Sequence, residues 1–219
     1  MPSPFGGGRT HNRPCGRLGV MSTGRRAGRP VGAPQPRREQ LIALTIELVG
    51  EQGYGDATLG RIAERAELSK ASVLHHVGSV AALLGAAHER VISQMVAEVG
   101  AAVEAAPKAA RPRAYITALI GYFRANPHHT RVATEALVRW GHPGESRERW
   151  GPLAQLLREA RDTHGLSGPA NLRTAALAVG GAIDAIVAEH QKDPSYDSAQ
   201  AAEELAGAVE RLVAARPEG

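Results

Sequence analysis

Apolar residues along this chain recur at the spacing of α-helices from residue 38 onward, and no segment alternates between apolar and polar residues as a strand does. The first predicted helix has a broad apolar face and ends at Gly53, a residue type that commonly stops helices. That face consists of Leu41, Ile42, Leu44, Ile46, Leu48 and Val49. The pattern therefore predicts an all-α fold that begins with an amphipathic helix.

Two short helices are predicted next. Thr58 is a suitable N-cap for the second helix, and Ser69 is a suitable N-cap for the third. The apolar stripe of the second helix consists of Leu59, Ile62, Ala63 and Ala66, spaced i, i+3, i+4 and i+7. In the third helix Val73 and Val77 point inward. Gly78 ends this helix before a long fourth one begins.

The rest of the chain predicts six helices and one loop. The helices cover residues 79–104, 112–125, 128–140, 150–164, 169–191 and 197–215, and turn-forming residues place the loop at 140–150. The predicted architecture is all-α and contains about nine helices. A three-helix head over residues 37–84 precedes a six-helix body over residues 85–219, and residues 1–36 form an arm.

The arm is rich in Gly, Pro and Arg and poor in large apolar residues, which predicts disorder. Residues 1–38 contain eight arginines and no acidic residue, while the remainder has 18 basic against 22 acidic residues. Such a cationic arm on an acidic body suggests a polyanionic partner. Arg25, Arg26 and Arg29 lie in a segment that resembles the minor-groove core of an AT-hook; the alternative is a solubilising tail. Met21, within the arm, is an alternative start.

Composition excludes several classes of protein. The single cysteine, Cys15, excludes an internal disulfide and favours a reducing compartment. No apolar run is long enough to span a bilayer, and the N-terminal segment lacks the apolar core of a secretory signal, so we expect a cytoplasmic protein with no membrane partner. No zinc, P-loop, dinucleotide or hydrolase motif is present, so we expect no metal, no cofactor and no enzymatic activity.

Residues 58–76, TLGRIAERAELSKASVLHH, have the helix–turn–helix layout in which the second helix enters the major groove of DNA. Residues 37–84 resemble the N-terminal domain of the TetR (tetracycline-repressor) family. The shared residues are Gly53, Tyr54, Thr58, Ile62, Ala63, Ala66, Ser69, Lys70, His75, His76, Ser79, Leu83 and Leu84. Beyond this block, only the number and length of the helices resemble the family.

The resemblance implies a homodimeric repressor that binds a pseudo-palindromic operator in double-stranded DNA and is released by a small-molecule inducer. It implies that Lys70, Ala71, Ser72 and His75 face the bases. Thr58 and His76 would contact phosphates, and the implied DNA-binding set also includes Arg37, Arg38 and Leu74. The alternative function is a degenerate helix–turn–helix protein that acts as a ligand-binding or protein-interaction module, and an enzyme is a more distant alternative.

The sequence departs from the family pattern at four positions in the head. Glu67 replaces the usual glycine of the turn, which would carry a left-handed backbone penalty of roughly 1–2 kcal/mol. Leu74 replaces a phosphate-contacting tyrosine, and Val77 replaces a phenylalanine. Val80 replaces a lysine, so one cationic contact is absent. These changes weaken backbone contact but leave the predicted base-contacting residues intact.

Two further sites are predicted in the body. The aromatic and histidine side chains on the fifth to seventh helices suggest an apolar ligand pocket, with filling of the core as the alternative. They are Tyr115, Tyr122, Phe123, His129, Trp140 and Trp150. Small and apolar residues on the last two helices suggest a dimer seam, with packing inside one chain as the alternative. They are Ala176, Gly180, Ile183, Leu205, Val209 and Leu212.

Overall fold

The computed structural model describes the backbone of residues 36–140, 146–166 and 171–215, without the side chains of residues 137–140 and 146–149. These described residues form nine α-helices and no strand, so the all-α prediction is confirmed. In chain order the helices are α1 Pro36–Gln52, α2 Leu59–Arg65, α3 Lys70–Val77, α4 Val80–Ala105, α5 Arg111–Ala125, α6 Pro127–Trp140, α7 Ser146–Thr163, α8 Arg173–Lys192 and α9 Ser198–Ala214. A 3₁₀ turn, Lys108–Ala110, precedes α5.

Side-chain caps start α2, α3 and α4 where the sequence predicts them. Thr58 Oγ1 accepts a hydrogen bond from the backbone N–H of Arg61 at 3.4 Å. Ser69 Oγ accepts one from the backbone N–H of Ser72 at 3.1 Å, and Ser79 caps α4 in the same way. Each cap satisfies a backbone donor that the first helical turn leaves free, so local chemistry sets these boundaries.

The first hydrophobic core lies between α1, α2, α3 and the start of α4, and α6 completes it. Its most deeply buried large apolar residues on the first four helices are Leu41, Val49, Ile62, Val73, Leu83 and Val91. From α6, Val132, Ala133 and Ala136 pack into the same core. This core therefore extends well beyond residue 84, where the predicted head ends.

The second core joins α5, α7, α8 and α9. Its largest fully buried side chains are Ile116, Ile120 and Leu157. At the surface Arg113 of α5 forms ion pairs with Glu203 and Glu210 of α9. Phe123 of α5 packs against both cores, so the packing of the described residues is continuous along α5.

Two helix starts differ from the predicted ones. α7 begins at Ser146 rather than near residue 150, so part of the predicted loop is helical. Pro152 lies inside α7, where its missing N–H removes one hydrogen bond, and Leu157 of the same helix is buried in the second core. α8 begins at Arg173 rather than near residue 169, because the Asn171 side chain accepts a hydrogen bond from the Arg173 backbone at 3.1 Å and forms a local turn there.

Candidate nucleic-acid interface and cavity

The turn between α2 and α3 adopts the left-handed backbone that its sequence position requires. Glu67 has a φ of +53°, the only positive φ at a non-glycine position among the described residues. Two backbone hydrogen bonds define this turn. The Glu67 N–H donates to the Glu64 carbonyl at 3.1 Å, and the Leu68 N–H donates to the Ala63 carbonyl at 2.9 Å. These bonds close the end of α2 and hold Glu67 in a conformation that glycine adopts at lower cost.

Replacing Glu67 by glycine is expected to stabilise the protein by about 0.5–1 kcal/mol. The gain is the relief of left-handed strain, reduced by the greater freedom of glycine in the unfolded chain. Urea denaturation of the variant measures the change. Glu64→Gly, one turn earlier inside α2, is the control, since it should instead lose about 1 kcal/mol. A destabilised Glu67→Gly variant would contradict this account of the turn.

The outer face of α3 presents polar and cationic side chains to solvent. Lys70, Ala71 and His75 are exposed, and Ser72 and His76 are half-buried. The Lys70 side chain lies beside Gly60 of α2, where an added Cβ would be 3.9 Å from the Lys70 ammonium nitrogen. The inner face of α3 is anchored by the fully buried Val73. A short helix fixed on one side and open on the other can therefore enter a groove as a rigid element.

Groups suited to phosphate contact flank this face. The Thr58 hydroxyl oxygen accepts from the Arg61 backbone, which leaves its O–H free to donate to a phosphate. Arg61 is exposed and lies 3.7 Å from Asp56. At the start of α1, Arg38 is exposed, while Arg37 donates a hydrogen bond to Gln40 at 2.6 Å. The starts of α1 and α2 thus carry exposed hydroxyl and cationic donors.

Three of the four departures from the family pattern alter the rim of this face. Leu74 exposes 37% of its surface, so an apolar group stands where a phosphate contact is implied. Val77 and Val80 are half-buried and pack against the first core. His76 Nδ1 is buried and has no hydrogen-bond partner among the described residues. Backbone contact at this rim therefore depends on the hydroxyl and cationic groups that remain.

A polar link joins α6 to the end of α1 and to Tyr54, which follows α1, and no sequence pattern indicates it. Arg131 donates to the Glu51 carbonyl at 2.9 Å and to Glu135 at 2.6 Å. Glu135 in turn accepts from the Tyr54 backbone N–H at 2.8 Å. Partial burial alone would raise the pKa of Glu135, but the Tyr54 hydrogen bond and the Arg131 ion pair outweigh it and lower that pKa. At the same contact, a Cβ added to Gly50 would overlap His128, so only glycine allows this approach of α1 to α6.

A cavity of about 430 Å³ lies beside this link. Its walls come from α1, α5, α6, α8, the turn between α8 and α9, and the first residue of α9. Arg124, Arg131, His128 and His190 line it together with apolar residues, of which Ile120 and Val187 are buried. No carboxylate occurs among the described residues that line it. The cavity is therefore both cationic and apolar, a combination suited to a small amphiphilic molecule.

Comparison with known proteins identifies the head. Residues 41–87 match the family described as bacterial regulatory proteins, tetR family. These residues form a domain of the tetR family. The HTH-type transcriptional regulator BetI of Escherichia coli O127:H6 is 32% identical over 110 residues, which are 50% of this chain and 54% of that protein. BetI of Stenotrophomonas maltophilia strain R551-3 is 39% identical over 64 residues, 29% of this chain and 33% of that protein. The chain thus spans about half of the length of the first relative and a third of the second.

Solved structures extend the likeness beyond this domain to most of the fold. A TetR-like transcriptional regulator from Rhodococcus sp. RHA1 superposes with a TM-score of 0.67 at 20% identity, over 82% of this chain and 97% of that one. The fatty acid degradation regulator FadR of Bacillus halodurans superposes with a TM-score of 0.64 at 15% identity, over 78% and 97%. At such identities the likeness shows the fold alone. The relatives named here are transcriptional regulators, and the prediction that the chain is not an enzyme agrees with them.

Most of the predicted pocket residues occupy other places than the cavity. Tyr122 is buried, and its hydroxyl lies 2.8 Å from His129 Nδ1. Tyr115 and Trp150 are half-buried against the second core, and the Arg173 guanidinium lies 5.4 Å from the centre of the Trp150 ring. Phe123 is the one predicted pocket residue that lines the cavity among those whose side chains are described. The side chain of Trp140 lies outside the described residues. The aromatic ligand pocket stays a prediction.

The free energy of unfolding of this protein is expected to fall as the pH decreases from 7 to 5. Burial, and next the charge of His128, lower the pKa of His129 below its ordinary value of 6.5. His129 therefore binds a proton more readily in the unfolded chain than in the folded one. The contribution of neutral His129 to the free energy of unfolding is present above about pH 6.5 and is lost as the pH falls through its lower folded-state pKa. Burial lowers the pKa of His88 in the same direction. His129→Gln should flatten the dependence of the unfolding free energy on pH, measured by urea denaturation, and equal slopes in variant and wild type would refute this.

The residues of the predicted dimer seam divide between two environments. Ala176, Ile183 and Val209 are buried inside their own protomer, as part of the second core. Leu205 is half-buried, whereas Leu212 exposes 53% of its surface. Gly180 is half-buried with open space around it. A surface for self-association on α8 and α9 would therefore use the outward residues of these helices rather than the three interior ones.

The described parts of the chain contain neither a cluster of metal ligands nor a membrane-spanning helix. In residues 36–140, 146–166 and 171–215, no group of three or more His, Cys, Asp or Glu side chains is arranged to hold a metal ion. No helix in these parts is long and apolar enough to cross a membrane. The arginines of the predicted arm, Arg25, Arg26 and Arg29, lie outside the described residues.

Proposed function

We propose that this protein is a sequence-specific DNA-binding transcriptional regulator that represses its target in the cytoplasm as a homodimer and leaves its operator when a small molecule binds. The observation that carries the proposal is the outer face of α3, where Lys70, Ala71, Ser72 and His75 stand above a fully anchored inner face. Capped ends and the closed turn at Glu67 hold this helix rigidly. Such an element supplies base contacts within the major groove.

The experiment is a mobility-shift titration of the full chain with DNA from upstream of its own gene, because repressors of this kind commonly act close to where they are encoded. Retention of the shift against an excess of random duplex supports sequence-specific binding. Equal competition by random duplex would contradict it. Addition of salt should weaken both complexes, since phosphate contacts release counterions in each.

The homodimer is supported by apolar side chains that the protomer leaves exposed on its last two helices. Among the described residues, the exposed large apolar side chains are Leu74, Val96, Leu177 and Leu212. Leu177 lies on α8 and Leu212 on α9, and the two helices pack against each other. Gly180 and Gly181 on α8 have open space where a second helix can approach closely. Two such pairs related by a twofold axis would form a four-helix seam.

Deleting residues 1–35 is expected to weaken binding to every DNA sequence by a similar factor. Arg25, Arg26 and Arg29 would contribute charge rather than base contacts, so the effect should not depend on sequence. The slope of log affinity against log salt should decrease by roughly 0.9 for each phosphate that the arm neutralises. The deletion leaves Pro36, the first residue of α1, in place. An unchanged slope measured by fluorescence anisotropy would assign the arm no role in DNA binding.

A further inference from the structure

The cavity beside the α1–α6 contact contains a buried hydroxyl group without a partner. Ser198, the first residue of α9, exposes 2% of its surface and lines the cavity. Its Oγ has no hydrogen-bond partner among the described residues. Thr130, which also lines the cavity, differs, because its hydroxyl donates to the Phe123 carbonyl at 2.9 Å. An unpaired buried hydroxyl costs free energy unless a ligand or ordered water meets it, so Ser198 is a donor in need of an acceptor.

The charges around this hydroxyl favour an anion. Arg124 lines the cavity and is exposed, with no carboxylate partner among the described residues. His190 also lines it, and its Nδ1 lies 3.0 Å from the Tyr196 carbonyl. Because a carbonyl only accepts, Nδ1 carries the proton, and this hydrogen bond fixes the orientation of the ring in the wall. Arg131 adds a second guanidinium to the wall.

The acidic groups near the cavity are already engaged elsewhere. Glu135 binds Arg131 and the Tyr54 backbone. Asp193 accepts from the backbone and hydroxyl of Ser195 at 2.9 and 2.6 Å. Asp197 caps α9 through the two backbone N–H groups that follow Ser198. None of these carboxylates forms an ion pair with Arg124 among the described residues, so its guanidinium is available to an oxyanion.

The apolar wall determines the remainder of the ligand. Ile120, Phe123 and Val187 line the cavity, and Ile120 is only 1% exposed. At about 430 Å³ the space exceeds what an inorganic ion needs and is within the range of small-molecule sites. An apolar body of several carbon atoms would cover these three side chains, while its anionic end meets the polar side of the cavity.

We propose that this cavity binds a small organic anion, a carboxylate or phosphate monoester with an apolar body, through Arg124 and the Ser198 hydroxyl. This names the ligand class of the proposed function. Anion binding itself does not depend on that function, but its effect on DNA binding does. A ligand in this cavity would lie next to Gly50 and Arg131, where α1 and α6 are joined. Occupancy would then change the contact through which the body holds the DNA-binding helices.

The test is calorimetric titration of the full chain, without DNA, with three probes that share an aromatic body. The probes are 3-phenylpropionate, phenyl phosphate and the neutral 3-phenylpropanamide. At least one anion should bind saturably, one per protomer, and the amide should bind at least about tenfold more weakly, because charged hydrogen bonds supply the difference. The anion that binds more tightly identifies the head group. Binding of neither anion, or equal binding of the amide, would overturn the proposal.

Variants locate the site. Arg124→Ala should weaken anion binding on the order of tenfold, and Ser198→Ala several-fold. Arg158→Ala, which removes an exposed arginine on α7 that does not line the cavity, should leave the affinity unchanged. Without ligand, Ser198→Ala should unfold at the same or a higher temperature than wild type, since the hydroxyl has no partner to lose.

Wild-type anion affinity in both the Arg124→Ala and Ser198→Ala variants would place the anion elsewhere and refute the site. A change in one variant alone assigns the oxyanion to that residue. Since these titrations contain no DNA, their failure would leave operator binding unaffected. Conversely, failure of operator binding would leave the anion affinities measurable.

Discussion

Replacing Ile183 by aspartate is expected to unfold the protomer, whereas replacing Leu212 by aspartate is expected to leave it folded and prevent its self-association. Ile183 is 3% exposed in the second core, so the variant would lose apolar burial and force an unpaired charge into the interior. We expect a loss of about 4 kcal/mol or more, enough to unfold a domain of ordinary stability. Leu212 exposes 53% of its surface, and its replacement changes protomer packing little.

The two variants form a matched pair because both place the same charge on the last two helices. Circular dichroism reports folding, and light scattering reports assembly. For Leu212→Asp we expect native helicity with the mass of a monomer, and Leu177→Asp should behave alike, since Leu177 is 47% exposed. A Leu212→Asp dimer as stable as wild type would contradict the proposed seam. A folded Ile183→Asp protein would contradict the placement of Ile183 in the core.

The double replacement of Ser72 and His75 by alanine is expected to abolish the preference for operator over random DNA. Each good base contact is worth roughly 1–3 kcal/mol of discrimination, so the pair should account for about a hundredfold or more. Binding to random duplex should change little, because phosphate contacts supply most of it. Alanine favours the helix, and Ser72 participates in the cap through its backbone N–H, so α3 should remain intact.

The control for this double variant is His164→Ala, an exposed histidine at the end of α7, far along the chain from α3. It should retain wild-type preference for operator. Competition titrations at fixed salt measure the ratio of specific to random affinity for each protein. Survival of operator preference in the double variant would show that α3 does not make the base contacts.

Local signals were sufficient to predict much of the head. The caps at Thr58 and Ser69 and the stop at Gly53 depend on neighbouring backbone groups, and the structure has all three. The left-handed turn at Glu67 follows from its position between two helices. The starts of α7 at Ser146 and of α8 at Arg173 were predicted less well, and at Arg173 the reason is a local turn formed by the Asn171 side chain.

Long-range contacts could not be predicted from a single sequence. The hydrogen bond between Glu135 and the Tyr54 backbone joins positions 81 residues apart. No periodicity or spacing indicates such a pair. The sequence also does not distinguish Arg131 from other surface arginines, because its contact with α1 forms only when α1 packs against α6. The cavity is hidden for the same reason, since Arg124 and Ser198 lie on helices that meet only in the folded chain.

The seam illustrates a different limit. Helical spacing shows that α8 and α9 have apolar faces, but it does not show which face meets the rest of the protomer. Ile183 and Val209 satisfy the same pattern as Leu212, yet the first two are interior and the third is exposed. Small residues mislead similarly: Ala176 is buried within the protomer, while Gly180 has open space around it.

Selection of binding sites from a random pool of DNA duplexes by the full chain tests the central claim most directly, because the operator sequence need not be known. A dimer that places α3 of each protomer in the major groove should enrich a pseudo-palindromic sequence. Its half-sites should lie about 34–36 Å apart or a multiple of that distance. The Ser72/His75 double variant should enrich no sequence in the same pool. An unenriched pool with the wild-type protein, or the same enriched sequence with the double variant, would contradict the claim that α3 recognises the operator.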